Sequence, residues 1–370
     1  MLMRSVFFLF LTYILLNRLA AGGESQIGVF YYPGWKNSVI SNVSPEPWAA
    51  LKDYPDREPL LGHYDDGNID VIEQQLSWMS SAGIDFLILD WYWHPQLGVL
   101  KSHTIDTYFK APSRKKIRLS IMWANHTAIP RTQEEFEKMV RFWLYYFRTK
   151  EYLTIDEKPV VFIFSTSQLE QRAKAFGSTS ATLLAVAQSI AKKDGLPGIF
   201  FVGGAGANSP IAVQHSKGVA TGYDAFSAYN YHGPGRFAYA GGHKQSHSYL
   251  ELDQGYRDHW QWMLADAKLP YFVPMSSGWD RRPWGGSKDP LHDNSMSTPE
   301  EFKTHLLAGR KAIREFSPLT RGFGVICCWN EFGEGSFIEP TRKNGTVMLD
   351  TVKEVFSDSS GNAPARNISK

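Results

Sequence analysis

The sequence predicts a single-domain parallel α/β fold, a (β/α)8 barrel, and three observations carry that prediction. Eight short apolar runs recur along the 370 residues, at 27–32, 84–91, 117–123, 159–164, 198–202, 225–229, 271–275 and 324–329. Near-continuous apolarity over so few residues is what strands buried on both faces show. Helix-favouring stretches lie between them at 68–82, 133–153, 180–194, 250–267 and 299–316, and 347–356 supplies an eighth helix to close the ring. The first run ends in Tyr32-Pro33-Gly34-Trp35, which lacks the glycine spacing of a phosphate loop and so disfavours a doubly wound open sheet. The irregular stretches 33–67, 232–248 and 278–297 follow strands one, six and seven; in a barrel these are active-site loops, where length is tolerated.

The two ends of the chain read differently from its middle. Residues 1–21 combine Arg4, an apolar core at 6–16 and small residues at Ala20 and Ala21, the pattern of a secretory signal peptide; a retained signal anchor is the alternative. The barrel is expected over 22–357, with 358–370 a loose polar tail. Secretion is the expected location, and sequons at Asn42, Asn125, Asn344 and Asn367 fit a glycoprotein. The formal charge of +2 contains no basic block, which argues against nucleic acid or an anionic membrane surface as partner. Twelve tryptophans in an aromatic content of 14% suit a sugar-binding cleft, where the apolar face of a pyranose packs on a ring. The expected partner is therefore an oligosaccharide or polysaccharide, bound by a monomer. Only Cys327 and Cys328 occur. Side chains of successive strand residues point apart, so they are expected to be buried thiols rather than a disulfide. No cofactor and no metal is expected; His243 and His247 lie four apart in a glycine-flanked loop and make a weak zinc pair.

In a barrel, the carboxyl ends of the strands converge on one cleft. Those ends supply Tyr31 and Tyr32, then Asp90, Trp91 and Tyr92, then Trp123 and Asn125, then Tyr229, Tyr231 and His232, then Trp279, and finally Asn330, Glu331 and Glu334. Aromatic platforms alternate there with carboxylates, amides and hydroxyls. Cleaving a glycoside takes one acid to protonate the leaving oxygen and a second carboxylate as base or nucleophile. Glu331 and Glu334, three residues apart in Trp329-Asn330-Glu331-Phe332-Gly333-Glu334-Gly335, can supply both, since crowding like charges drives their pKa values apart. An acidic first helical turn is the plainer reading of the same pair. Asp90 is a further candidate carboxylate, or else a residue that braces neighbouring rings.

At these residues the chain resembles glycoside hydrolase family 99, the endo-α-mannosidases, and the broader related group found in bacterial polysaccharide gene clusters. The likeness runs through Val29-Phe30-Tyr31-Tyr32-Pro33, Leu61-Gly62-His63-Tyr64-Asp65, Gly83-Ile84-Asp85-Phe86, Asp90-Trp91-Tyr92-Trp93, and the Trp329 to Gly335 segment followed by Ile338-Glu339-Pro340. The resemblance implies a (β/α)8 barrel and retaining hydrolysis of an α-mannoside or similar sugar, with the substrate's own 2-hydroxyl as nucleophile. It makes Glu331 the base on that hydroxyl and Glu334 the acid/base at the glycosidic oxygen. The endo-mannosidase motif has Trp and His where this chain has Phe332 and Gly333, so the rim of the reactive subsite differs, and the chain is closer to the broader group. Some members of that group carry the label glycosyltransferase. A transferase acting on polysaccharide and a glycan-binding barrel without catalysis are the alternatives.

Overall fold

The computed structural model describes residues 25–36, 46–127 and 129–357. The expected signal segment and polar tail, and the sequons at Asn42 and Asn367, lie outside these residues. Eight parallel strands form the barrel: β1 Gln26–Tyr31, β2 Phe86–His94, β3 Arg118–Trp123, β4 Lys158–Ile163, β5 Phe200–Gly204, β6 Ala225–Ser227, β7 Val273–Ser276 and β8 Phe323–Cys327. They run in hydrogen-bonded order from β6 through β5, β4, β3, β2, β1 and β8 to β7. The last seam is closed by Phe226, whose N–H donates to Pro270 O at 3.0 Å and whose carbonyl accepts from Phe272 N at 2.9 Å. All eight apolar runs thus become barrel strands.

Helices follow the strands around the outside, and their starts are written locally. Asn68 caps α1 (Ile69–Ser81) by accepting from Asp70 N. Thr132 caps α2 (Gln133–Phe147), Thr179 caps α3 (Ser180–Lys193) and Ser248 caps α4 (Tyr249–Gln261). Thr298 and Glu301 form a reciprocal capping box on α5 (Pro299–Glu315), with proline at its first position. α6 (Val347–Phe356) closes the ring. The expected helix at 133–153 stops at Phe147, because the following residues turn to pair with the barrel: Leu153 N donates to Leu119 O at 2.7 Å. Among the described residues, no helix is long and apolar enough to cross a membrane.

Two apolar layers share the strands. Inside the barrel, Phe30, Phe86, Ile88, Met122, Phe162, Val202, Phe272 and Val325 interlock. The opposite faces pack against the helices through Tyr31, Leu89, Trp91, Trp123, Trp143 and many others. A third cluster, Trp35, Trp48, Leu51, Tyr64, Phe332 and Phe337, lies under the loops at the carboxyl end and ties the first loop to the last. One expectation is corrected here: Cys327 and Cys328 are joined as a disulfide, across a cis peptide bond with their Cα atoms 2.9 Å apart. Opposed side chains belong to a trans-linked strand, and this peptide is not trans.

Candidate active site

The carboxylate pair sits in a tight turn at the mouth of the barrel. After β8, Asn330–Glu331 pairs antiparallel with Ser336–Phe337, and a single 3-10 turn, Phe332–Glu334, joins them. Neither carboxylate opens an α-helix. Gly335 ends the turn at φ +68°, and a Cβ there would lie 2.8 Å from the backbone nitrogen of Asp280. Glycine is required on both counts. The turn is anchored from below by Arg57, which is 4% exposed: one guanidinium nitrogen donates to the carbonyls of Asp280 and Phe332, each at 2.9 Å, and the other pairs with the Asp280 carboxylate. Asp280 N in turn donates to Glu334 O at 2.7 Å. Loops after β1, β7 and β8 are thereby locked to one another around the acid pair.

Three carboxyl groups face one another across this mouth. Tyr229, at the end of the run that contains β6, places its hydroxyl 2.9 Å from Glu331 Oε1 and 3.2 Å from Asp90 Oδ2. The second oxygens, Glu331 Oε2 and Asp90 Oδ1, are buried and have no partner within the protein. Burial holds both groups well above the usual carboxylate range; Glu334 and Asp90 push Glu331 further up, while Tyr229 and Lys101 oppose the rise. Glu334 is pushed up to about 7, again by burial, with Arg281 pulling it back. The pair therefore has unlike environments, as acid and base require.

Lys101 was not among the residues singled out from sequence. β2 runs past the barrel to His94 and returns antiparallel through Gly98–Leu100, which carries Lys101 back over the mouth at φ +53°. The residue as a whole is exposed, yet its ammonium donates to Tyr32 Oη at 2.9 Å and lies 4.3 Å from the Tyr32 ring centre and 5.2 Å from that of Tyr92. Desolvation lowers its pKa, while Glu331, Asp66 and Asp90 hold it up. A left-handed backbone at a non-glycine residue is a cost that function sites often carry. Phe164 and His126 also join the wall: Phe164 packs on Tyr229, with ring centres 5.6 Å apart, and His126 packs on Phe164 at 4.6 Å. Trp284 crosses over Gly333, where a Cβ would collide with the indole, and meets Tyr32 edge-on at 5.7 Å. The glycine that departs from the endo-mannosidase motif thus makes room for a tryptophan from the loop after β7.

The sequence-selected aromatic residues divide by strand phase. Tyr32, Tyr92 and Tyr229 are partly open to the mouth. Tyr31, Trp91 and Trp123, by contrast, face the helix layer: Tyr31 donates to Gln75, Trp91 donates to Tyr146, and Trp123 packs on Phe136 and Trp143. Tyr231 is buried against His259 and hydrogen-bonded to Ala205 O and Tyr271. None of these four reaches the cleft as placed. Asn125 is 1% exposed, and its amide bonds the Ser165 backbone in both directions, each at 2.9 Å; it braces the ends of β3 and β4 and its nitrogen is engaged. Asn330 is fully buried and clamps Tyr32 by accepting from its N–H at 2.9 Å and donating to its carbonyl at 3.1 Å.

Beneath Asn330 a polar chain continues outward. Tyr31 donates to Gln75, Gln75 and Tyr64 both donate to Glu339, and Asn330 donates to Tyr64. Glu339 is pushed up to about 8 by burial. His232 and Trp279 form a separate corner with His292: the His232 and Trp279 rings are 4.2 Å apart, and His232 is pushed down to about 3 by burial and by His292. His243, His247 and Glu251 converge to within 4.8 Å. The two imidazoles, however, stack face to face at 3.8 Å and 10°, so an ion in the plane of one ring lies off the plane of the other. As placed they pair instead with carboxylates, His243 with Glu251 and His247 with Asp289.

An acid pair and a desolvated third carboxyl, walled by aromatic rings, thus lie at the carboxyl end of a (β/α)8 barrel. A family model described as "Glycosyltransferase WbsX" matches residues 52–352, and the chain belongs to that family. No curated protein matches it. Among solved structures, a "Glycoside hydrolase-like protein" superposes with a TM-score of 0.63 at 16% identity, covering 91% of this chain and 95% of that one. The family 99 endo-alpha-mannosidase from Bacteroides thetaiotaomicron superposes at 0.59 and 15% identity, covering 88% of this chain and 95% of that one. At such identities the shared property is the fold, and it is the fold that the sequence resemblance implied.

Proposed function

We propose that this protein is a glycoside hydrolase that cleaves an α-linked, α-mannoside-like glycan with retention. Glu334 is the acid/base at the glycosidic oxygen, and Glu331 is the base that draws the proton from the substrate's 2-hydroxyl as that oxygen attacks the anomeric carbon. The observation that carries this reading is the unlike setting of two carboxyls on one turn. Glu334 is desolvated and pushed up to about 7, so it holds a proton to give. Burial, Glu334 and Asp90 raise Glu331, and Tyr229, which donates to it, and Lys101, which faces it, oppose that rise and favour the ionised form; its Oε2 is left unpartnered for a hydroxyl. Tyr32, Tyr92 and Trp284 offer ring faces and edges for the sugar.

The family's description favours a second reading, transfer of a sugar to polysaccharide. Against it, Tyr32-Pro33-Gly34-Trp35 is no phosphate cradle. The deciding experiment measures reducing ends released from α- and β-linked mannans, glucans, galactans and fucans, comparing wild type with Glu334→Gln. Hydrolysis predicts release from one α-linked class and a loss of roughly 10²–10⁴-fold in the variant with binding kept. Tight binding without cleavage would leave the lectin or transferase reading. We further propose that the protein is secreted, on the strength of residues 1–21, and acts as a monomer; N-terminal sequencing of exported protein tests the first point and its elution volume on gel filtration the second.

A further inference from the structure

Tyr229 stands between two carboxyl groups with only one hydrogen to give. Its hydroxyl is 2.9 Å from Glu331 Oε1 and 3.2 Å from Asp90 Oδ2. A phenol donates one hydrogen bond and otherwise accepts. Glu331 is the shorter contact and, as the base, the group that needs to be ionised, so the phenolic hydrogen is assigned to it. Toward Asp90 the phenol then presents a lone pair, and an ionised Asp90 would set acceptor against acceptor in a site where Asp90 is 3% and Glu331 5% exposed. A protonated Asp90 resolves the conflict by donating to the phenol oxygen.

We infer that Asp90 is a carboxylic acid in the resting enzyme and is the positioning residue that fixes the direction of a two-bond relay, from Asp90 through Tyr229 to Glu331. The inference rests on the proposed role of Glu331 as base. In this arrangement every proton is placed: Asp90 carries one on Oδ2, Tyr229 keeps its own, and Glu331 carries none, so its Oε2 is left to accept from the sugar. No proton crosses the relay during turnover. Its effect is to aim Glu331 and to keep it ionised. The charged and titratable groups facing Asp90 act in both directions. Glu334, from the loop after β8, disfavours a negative charge on Asp90; Tyr32 and Tyr92 are neutral phenols; and Lys101, returning on the hairpin from β2, faces both Asp90 and Glu331 and favours the ionised form of each. Burial raises the Asp90 pKa, as the geometry requires.

Two measurements test the relay. Infrared difference spectra at pH 7 between wild type and Asp90→Asn read the protonation state directly: the inference expects loss of a protonated-carboxyl C=O band, and loss of carboxylate bands alone overturns it. Turnover supplies the second. Asparagine keeps both a donor and an acceptor, so Asp90→Asn should lower kcat by less than about tenfold, whereas Asp90→Ala should cost roughly 10²-fold. An Asp90→Asn enzyme as inactive as Glu331→Gln would mean that Asp90 acts as an ionised carboxylate, and the relay would be wrong. If wild type cleaves no glycan, the hydrolase reading fails, yet the infrared result still decides the state of Asp90.

Discussion

Arg57→Met is the perturbation whose size the structure fixes best. Arg57 is 4% exposed and spans the loops after β1, β7 and β8. Methionine fills most of its volume and removes every donor. The Asp280 carbonyl, bonded to Arg57 at 2.9 Å, would lose its partner, at about 1–3 kcal/mol, while the Phe332 carbonyl, also bonded at 2.9 Å, keeps the Gly335 N–H at 3.3 Å and loses about 0.5–1.5 kcal/mol. The buried Asp280 carboxylate keeps Arg282, whose nitrogens sit 2.8 and 2.5 Å from it, so it is not orphaned and the full penalty of a broken buried pair does not apply. The sum is about 1.5–4.5 kcal/mol. Unfolding entropy for a chain of this length is roughly 0.7 kcal/mol per kelvin, so Tm should fall by roughly 2–6 °C. Arg282 is 58% exposed, and Arg282→Met should cost no more than about 1 kcal/mol. Urea and thermal unfolding of both variants at pH 7 provide the comparison. If Arg57→Met stays within 1 kcal/mol of wild type, the claim that Arg57 anchors the acid-bearing turn is refuted.

Further expectations follow from the same geometry. Turnover should fall as pH rises through about 7, where Glu334 gives up the proton it must donate; Arg281→Gln removes a charge that favours the ionised acid, so the alkaline limb of kcat/KM should move to higher pH. Tyr31 and Tyr32 differ in phase by one residue: Tyr32→Ala should raise KM for the cleaved glycan, while Tyr31→Phe should leave KM alone and cost about 1 kcal/mol of stability through the lost bond to Gln75. A KM effect at Tyr31 with none at Tyr32 would reverse the assignment. Glycopeptide mapping should find Asn125 bare, because its amide nitrogen is held on Ser165 O; Asn344, in contrast, is exposed.

The barrel and the acid pair were legible in the chain because both are local signals. Each strand is a contiguous apolar run, each helix start carries its own cap, and Glu331 and Glu334 are three residues apart on one turn. Asp90, Tyr32, Tyr92 and Tyr229 were also reached, since the end of a run marks the mouth of the barrel.

What the chain alone left open was direction and distance. A strand buried on both faces has no polar alternation to reveal its phase, so Tyr31 could not be told from Tyr32, nor Trp91 from Tyr92, until helices packed on one side of the sheet. Lys101 lies in an unremarkable stretch after β2 and gains its place only because a hairpin returns it to the mouth. Trp284 and Arg57 act across 49 and 223 residues of separation, on Gly333 and Asp280 respectively, and nothing short-range encodes such pairings. Residue order therefore determined the fold, the mouth and the acid pair. Tertiary packing alone decided which faces line the cleft, which amides are braces, and which groups surround the three carboxyls, because those depend on burial and on contacts made between distant segments.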